Sequence, residues 1–324
     1  MGRSGIAVAG TIIVDSINVI SRYPGVGELT QIASVSKAVG GCVPNVACDL
    51  KQIDPALTVR AIGNVGKDED GALVKDVLTS YGVDISAVKD VPEKTDYTQV
   101  MSVTGGQRTF FTYSGASACF GVKDIDFQSL DARILHLGYF LLLRSVDSGD
   151  GLEILKKAKA SGLMTSIDLV SENSDRYKNV IPCLEYTDYL IVNEIEGGRI
   201  TGIDSTEANI PAIAQRLLEL GVREKVIIHF SSGSVCVSKD GKVTVLGSYI
   251  LPDDYIKGTT GAGDAFCAGA LYGIYNGLSD SEILECGTVC ATMALSAQDA
   301  VSGLSDMDCA RNRCCGYERR TLNL

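Results

Sequence analysis

Gly258-Thr-Thr-Gly-Ala-Gly-Asp-Ala-Phe266 sets a run of small residues directly before a lone carboxylate, Asp264. The residues that follow, Ala265 to Tyr275, are rich in Ala, Leu, Phe and Ile and predict a buried helix. The glycine-rich turn therefore opens that helix. The first N–H groups of a helix lack intrahelical acceptors, and the peptide dipoles add partial positive charge there. An anion can rest on those groups when no side chain intervenes, which is what Gly261, Ala262 and Gly263 provide. A carboxylate beside such a hole can take a proton from a hydroxyl while the hole steadies a phosphoryl group in transfer. The same residues also describe a plain tight turn with Asp264 as helix N-cap.

Working outward, Ile6 to Val14 is apolar on both faces and suits an interior parallel strand. It ends at Asp15, a candidate to accept hydrogen bonds from substrate hydroxyls, since ligands gather beyond the carboxyl ends of strands in open α/β sheets. Gly40-Gly41-Cys42-Val43-Pro44-Asn45 then leads into a helix; paired glycines permit close approach of a ligand, and Asn45 offers a donor and an acceptor to vicinal hydroxyls. Gly63-Asn-Val-Gly-Lys-Asp-Glu-Asp-Gly71 follows a second strand, with Asp68 read as a cap. Thr98–Val103 and Arg108–Tyr113 are β-rich around Gly105-Gly106 and predict a hairpin, which joins Glu28–Val39 in a small sheet outside the main one. Arg108 is a candidate phosphate or carboxylate binder there. Strands and helices then alternate through Gly138, Asp168, Asn193 and Phe230, implying a parallel sheet with right-handed crossovers. Both histidines, His136 and His229, lie in apolar strands and read as core residues.

Composition removes several function classes. Lys+Arg 29 against Asp+Glu 40 leaves a net charge of −11, which argues against nucleic acid or an anionic membrane as partner. No uninterrupted apolar run reaches the ~18 residues that span a bilayer. The N-terminal stretch lacks a signal-peptide layout. Eleven scattered cysteines without a Cys-x-x-Cys pair read as reduced, buried thiols of a cytoplasmic protein.

The motif at 258–266, continued by Ala268-Gly269-Ala270-Leu271, resembles the C-terminal signature of the ribokinase-like (PfkB) carbohydrate kinases, and the ordered set of motifs extends the resemblance from about Ile6 to Gly303. It implies a single doubly wound α/β domain over 1–324, mainly parallel and flanked by helices, with a small β-sheet lid inserted as segments 17–39 and 96–114; the tail at 309–324, with Arg311, Arg313, Arg319 and Arg320, reads as peripheral. It implies ATP-dependent phosphorylation of a fructose- or ribose-like sugar. Asp264 would be the general base; Gly261, Ala262 and Gly263 would hold the transferring charge; Asp15, Gly41 and Asn45 would position the acceptor. Asn193, Ser231, Gly233 and Thr259 would contact ATP, and Glu196 of Asn193-Glu-Ile-Glu196 would act on Mg²⁺ through water. Gly258 replaces the Asp that helps arrange a monovalent-cation site in several members, so potassium activation lacks one of its usual determinants. The lid implies a homodimer. Two rivals stand beside the sugar kinase: a nucleoside kinase with Tyr97, Phe110 and Tyr113 walling the base, and a non-catalytic sugar sensor on the same scaffold.

Overall fold

A computed structural model describes residues 3–103, 107–172, 174–322 and 324. In chain order the elements are β1 (Ile6–Ala9), β2 (Ile13–Ile20), β3 (Ile32–Gly40), α1 (Cys42–Ile53), β4 (Val59–Gly66), α2 (Glu69–Ser80), β5 (Asp84–Val91), β6 (Asp96–Val103), β7 (Arg108–Tyr113) and β8 (Ile134–Phe140). There follow α3 (Gly151–Ala160), β9 (Met164–Leu169), α4 (Ile181–Leu184), β10 (Tyr189–Asn193), α5 (Glu194–Thr201), α6 (Ile210–Glu219), β11 (Lys225–Phe230), β12 (Gly233–Ser238), β13 (Val243–Gly247), α7 (Ala262–Tyr275), α8 (Asp280–Ala294) and α9 (Met307–Cys314).

Among the described residues the strands form two sheets. The larger runs β13-β12-β11-β10-β9-β8-β1-β4-β5 and is parallel from β11 to β5, with β12 and β13 added antiparallel at one edge. Helices cover both faces, so strand residues alternate between two cores. Ile6 and Val8 of β1 join the cluster under α1, α7 and α8, while Ala7 and Ala9 join the cluster under α3 and α6. This two-sided burial is why β1 is apolar throughout. Strand order reverses between β1 and β8, and the crevice at that switch point is where ligands bind in such sheets.

The smaller sheet runs β3-β2-β6-β7 and corresponds to the lid. The expected hairpin is present as β6 and β7, although its turn at Gly105-Gly106 lies outside the described residues. One expectation is corrected. Ile6–Val14 is not a single strand: the chain leaves the main sheet at Gly10, whose φ is +142° and where a Cβ would meet Gly138 O at 2.6 Å. It re-enters as β2 of the lid, so Asp15 lies inside a lid strand, opposite Ala38 and Thr98, and not at the end of β1.

Met307, Ala310 and Cys314, spaced as one helical stripe, are buried against the core, so α9 docks on the molecule through an apolar face. The strand β5 and the antiparallel pair β12–β13 were not anticipated. All eleven cysteines are unpaired thiols. Among the described residues no helix is long and apolar enough to cross a membrane.

Candidate active site

Helix α7 begins on Gly261, which sits at φ +79° with ψ −4°. A side chain there would be strained, and its Cβ would lie 2.6 Å from Ala300 Cα. Asp264 is therefore the third residue of the helix and does not cap it. The N–H groups of Gly263 and Asp264 are among those that have no acceptor within a helix, and Ala262 N reaches Thr259 O only at 3.4 Å. At Gly263 a Cβ would come into ordinary contact with the His229 ring at 3.6 Å, and the bare glycine leaves that space unfilled beside the N–H groups.

The Asp264 carboxylate is asymmetrically held. Oδ2 accepts from Asn45 Nδ2 at 2.8 Å and from the Tyr139 hydroxyl at 3.0 Å. Oδ1 makes no hydrogen bond among the described residues. Burial, and secondarily the charge of Asp168, push the carboxyl up to about 6, while the Asn45 and Tyr139 bonds pull it the other way. The result is a carboxylate with one oxygen anchored and one available, titrating just below neutrality, which is where a general base is most effective.

Asn45 belongs to the first turn of α1, whose N-cap Gly41 (φ +88°) approaches Thr11 O so closely that a Cβ would lie 2.6 Å away. Asn45 Oδ1 is buried and has no partner among the described residues, so an acceptor beside Asp264 remains unsatisfied. The Asp15 carboxylate from the lid lies against Gly40, where a Cβ would meet its Oδ2 at 3.0 Å. Burial raises Asp15, offset in part by a bond to Thr98. Asp15 of the lid strand β2 thus sits beside Gly40, next in sequence to Gly41, and Asn45 ties the start of α1 to Asp264 at the start of α7. Arg108 is not brought to this group. It stands opposite Ser102 on the exposed strand β7, four residues, or ~13 Å along the strand, beyond Thr112, which pairs with Thr98.

The Asn193–Glu196 pair has a local reason for its spacing. Asn193 Oδ1 accepts from Glu196 N at 2.9 Å and Glu196 Oε2 accepts from Asn193 N at 3.0 Å, a reciprocal capping box that starts α5. Ser171 completes the cluster, donating to Glu196 Oε1 at 2.9 Å and accepting from Asn193 Nδ2 at 2.8 Å. Burial pushes Glu196 up to about 7. Both residues nevertheless line a cleft of about 200 Å³ together with Tyr139, Gly261, Gly263 and Asp264. Of the two acids at this strand end it is Glu196 that shares the Asp264 cleft; Glu194 lines the neighbouring cavity.

That neighbouring cavity, about 540 Å³, brings together Ser231, Gly233 and Thr259 with Ala262 and Gly263. Tyr249, Leu251, Ile256, Ala291 and Leu295 give it an apolar stretch of lining, with α8 as one wall. The two cavities share Gly263 and His229. Among the described residues the His229 side chain has no hydrogen-bond partner, unlike a satisfied core histidine: burial holds it down to about 4, hence neutral, and its ring packs on Phe266 with centroids 4.8 Å apart. His136 does fit the core reading, bonded to Ser166 and Asp168.

Three participants escaped the sequence reading. Tyr139 follows the end of the regular β8 ladder in a left-handed conformation (φ 56°), with its N–H on Asp168 Oδ1. Asp168, at the end of β9, orients Tyr139 and faces Asp264 electrostatically. Ser171 links Asn193 to Glu196. Asp168 and Asn193 carried the one available signal, a polar residue ending an apolar strand; Tyr139 carried none. Of the three lid aromatics, Tyr97 and Tyr113 stack on each other at 5.2 Å. By strand alternation they lie on the sheet face opposite Asp15 and Thr98, whereas Phe110 shares the Asp15 face.

The family profile described as pfkB family carbohydrate kinase matches residues 4–307. A curated ribokinase of Arabidopsis thaliana is 26% identical over 93% of this chain and 78% of its own. The solved structure of Arabidopsis thaliana ribokinase with ribose and ATP aligns with a TM-score of 0.81 at 23% identity, covering 96% of this chain and 98% of that one. A nucleoside kinase of Methanocaldococcus jannaschii aligns at 0.79 and 22% identity over 97% and 99%. A lone carboxylate at a helix start, two adjoining cavities, a lid sheet and a match across nearly the whole length converge: the chain belongs to the pfkB family of carbohydrate kinases, phosphotransferases with an alcohol group as acceptor.

Proposed function

We propose that this protein transfers the γ-phosphoryl group of ATP to a hydroxyl of a small fructose- or ribose-like sugar, with Asp264 as general base. The observation that carries the reading is the free Oδ1 of Asp264 at the N-terminus of α7, where the two cavities meet. ATP lies in the larger cavity, its base toward the apolar stretch of lining and its phosphates toward Thr259 and Gly263. The acceptor lies against Asp15, Gly41 and Asn45. Its hydroxyl gives a proton to Asp264 Oδ1 as it attacks the γ-phosphorus in line, and the N–H groups at the start of α7 hold the charge that develops on the transferring group. Asn45 and Tyr139 hold the carboxylate ionised and aimed until then.

The residues present fit a hard divalent cation. Glu196 keeps lone pairs on both oxygens after its two hydrogen bonds, and a nearby positive charge would offset the burial that pushes its carboxyl up. Glu196 and Asn193 would hold Mg²⁺ through its water shell, and the ion supplies neutralisation of the phosphate charge. No role is assigned to potassium. A sugar is favoured over a nucleoside because Tyr97 and Tyr113 face away from Asp15 and leave Phe110 as the single one of the three lid aromatics on its face. The exposed lid strands support a homodimer.

The test is ADP release with MgATP across a panel of ribose, fructose, other ketoses and aldoses, sugar phosphates and nucleosides, with Asp264→Asn as the blank. Removal of the base costs ~10²–10⁴-fold in turnover. Turnover on a sugar that disappears in the variant supports the reading; turnover confined to nucleosides overturns the acceptor class, and an Asp264→Asn rate within ten-fold of wild type overturns the base.

A further inference from the structure

The C-terminal segment has a place that the kinase signature does not explain. After α9 the chain returns along the antiparallel edge of the main sheet. Ile250 N donates to Glu318 O at 2.8 Å, Arg320 N donates to Ser248 O at 2.9 Å, and Tyr249 and Arg319 pair as a bridge. The seat is shaped for it. Gly233 and Gly247 face each other across β12 and β13. A Cβ on Gly247 would lie 1.9 Å from Arg320 O, and one on Gly233 would lie 2.5 Å from Leu322 Cδ1. The segment fills the slot left by two missing side chains.

Two successive arginines then do different things. Arg319 is a clamp: its guanidinium donates to Gly247 O at 2.7 Å, pairs with Glu285 of α8, and lies 3.9 Å over the Tyr249 ring. Arg320, the next residue, lines the 540 Å³ cavity and makes no ion pair among the described residues. It is the sole Lys or Arg among that cavity's lining residues, in a chain whose net charge is −11. An unpaired cation carried by a strand fitted between two glycines, and lining a cavity of nucleotide size, is a recognition element for an anionic ligand.

We propose that Glu318–Leu322 forms a wall of the nucleotide pocket and that Arg320 is a nucleotide-binding residue for a nucleoside triphosphate. The proposal rests on the reading of the larger cavity as the ATP site. Isothermal titration of MgATP into the full chain separates the two. Wild type that does not bind MgATP refutes the ATP-site reading itself. With wild type binding, Arg320→Ala weakens MgATP about ten-fold and Arg320→Lys less, while the KM for the acceptor and the melting temperature stay unchanged. Arg319→Ala, which removes the clamp but no cavity-lining group, gives a similar loss. Wild-type affinity in Arg320→Ala overturns the proposed contact, and wild-type affinity in Arg319→Ala overturns the proposed wall.

Discussion

Tyr139→Phe isolates one bond. It removes the 3.0 Å donor to Asp264 Oδ2 and leaves the ring, the backbone and the 2.8 Å bond from Asn45 in place. A hydrogen bond to a charged group contributes ~1.5–3 kcal/mol, and the protonated acid keeps part of it, so ~1.4 kcal/mol is the differential expected between the two protonation states. That equals about one pH unit. Asp264 titrates at about 6, raised by burial and the Asp168 charge, so removal of a donor that favours the ionised form moves the acid limb of kcat upward. Turnover falls about five-fold at pH 6, about two-fold at pH 7 and hardly at all at pH 8.5, as the ionised fraction dictates. The assay is kcat under saturating MgATP and acceptor from pH 5 to 9. A loss of equal size at every pH, or an unmoved limb, would refute the reasoning, because either would separate Tyr139 from the protonation of Asp264.

Gly261→Ala places a side chain at φ +79° and against Ala300, which costs ~1–2 kcal/mol for the left-handed conformation alone and displaces the start of α7; thermal denaturation and ADP release should fall together, turnover by more than ten-fold. Stability falls as pH rises from about 4 toward 7, because buried Asp49, Asp264 and Glu196 all hold their protons more tightly in the folded chain than unfolded. Both Asp49 oxygens lack partners among the described residues, so Asp49→Asn removes one titration and makes that slope shallower by up to ~1.4 kcal/mol per pH unit; an unchanged slope in melts taken from pH 4.5 to 7.5 counts against a neutral Asp49. Phe110 and Phe111 on β7 are 61% and 59% exposed, and a lid-mediated dimer in light scattering should dissociate in the Phe110→Ser/Phe111→Ser double variant.

The parts of the site legible in sequence are those in which a local constraint selects the residue. Gly261 is required by its backbone angle, Gly41 by the approach of Thr11 O, and Asn193 with Glu196 by the three-residue reach of a capping box. Asp264 stands out because it is a lone carboxylate beside such a constraint. The parts that stayed hidden depend on distant segments meeting. Tyr139 reaches Asp264 across 125 positions, and its left-handed conformation leaves no trace in composition. The break at Gly10 leaves no mark in composition because β1 and the first residues of β2, Ile13 and Val14, are all apolar, although the two strands serve different sheets. The tail's arginines, Arg311 and Arg313, dominate its composition, whereas the buried Met307–Ala310–Cys314 stripe decides where its helix packs.

The chain crosses from the main sheet to the lid within residues 10–12, and the proposed acceptor lining takes Asp15 from the lid sheet and Asp264 from helix α7, which packs on the main sheet. A sugar that bonds both carboxylates is a rivet between two plates. Its hydroxyl spacing then sets how far the plates close, so a sugar too short to touch both would bind weakly and leave β2 and β6 exchanging their amide protons as if the site were vacant. Discrimination between sugars would on this view be registered in the mobility of the lid before it is registered in the chemistry.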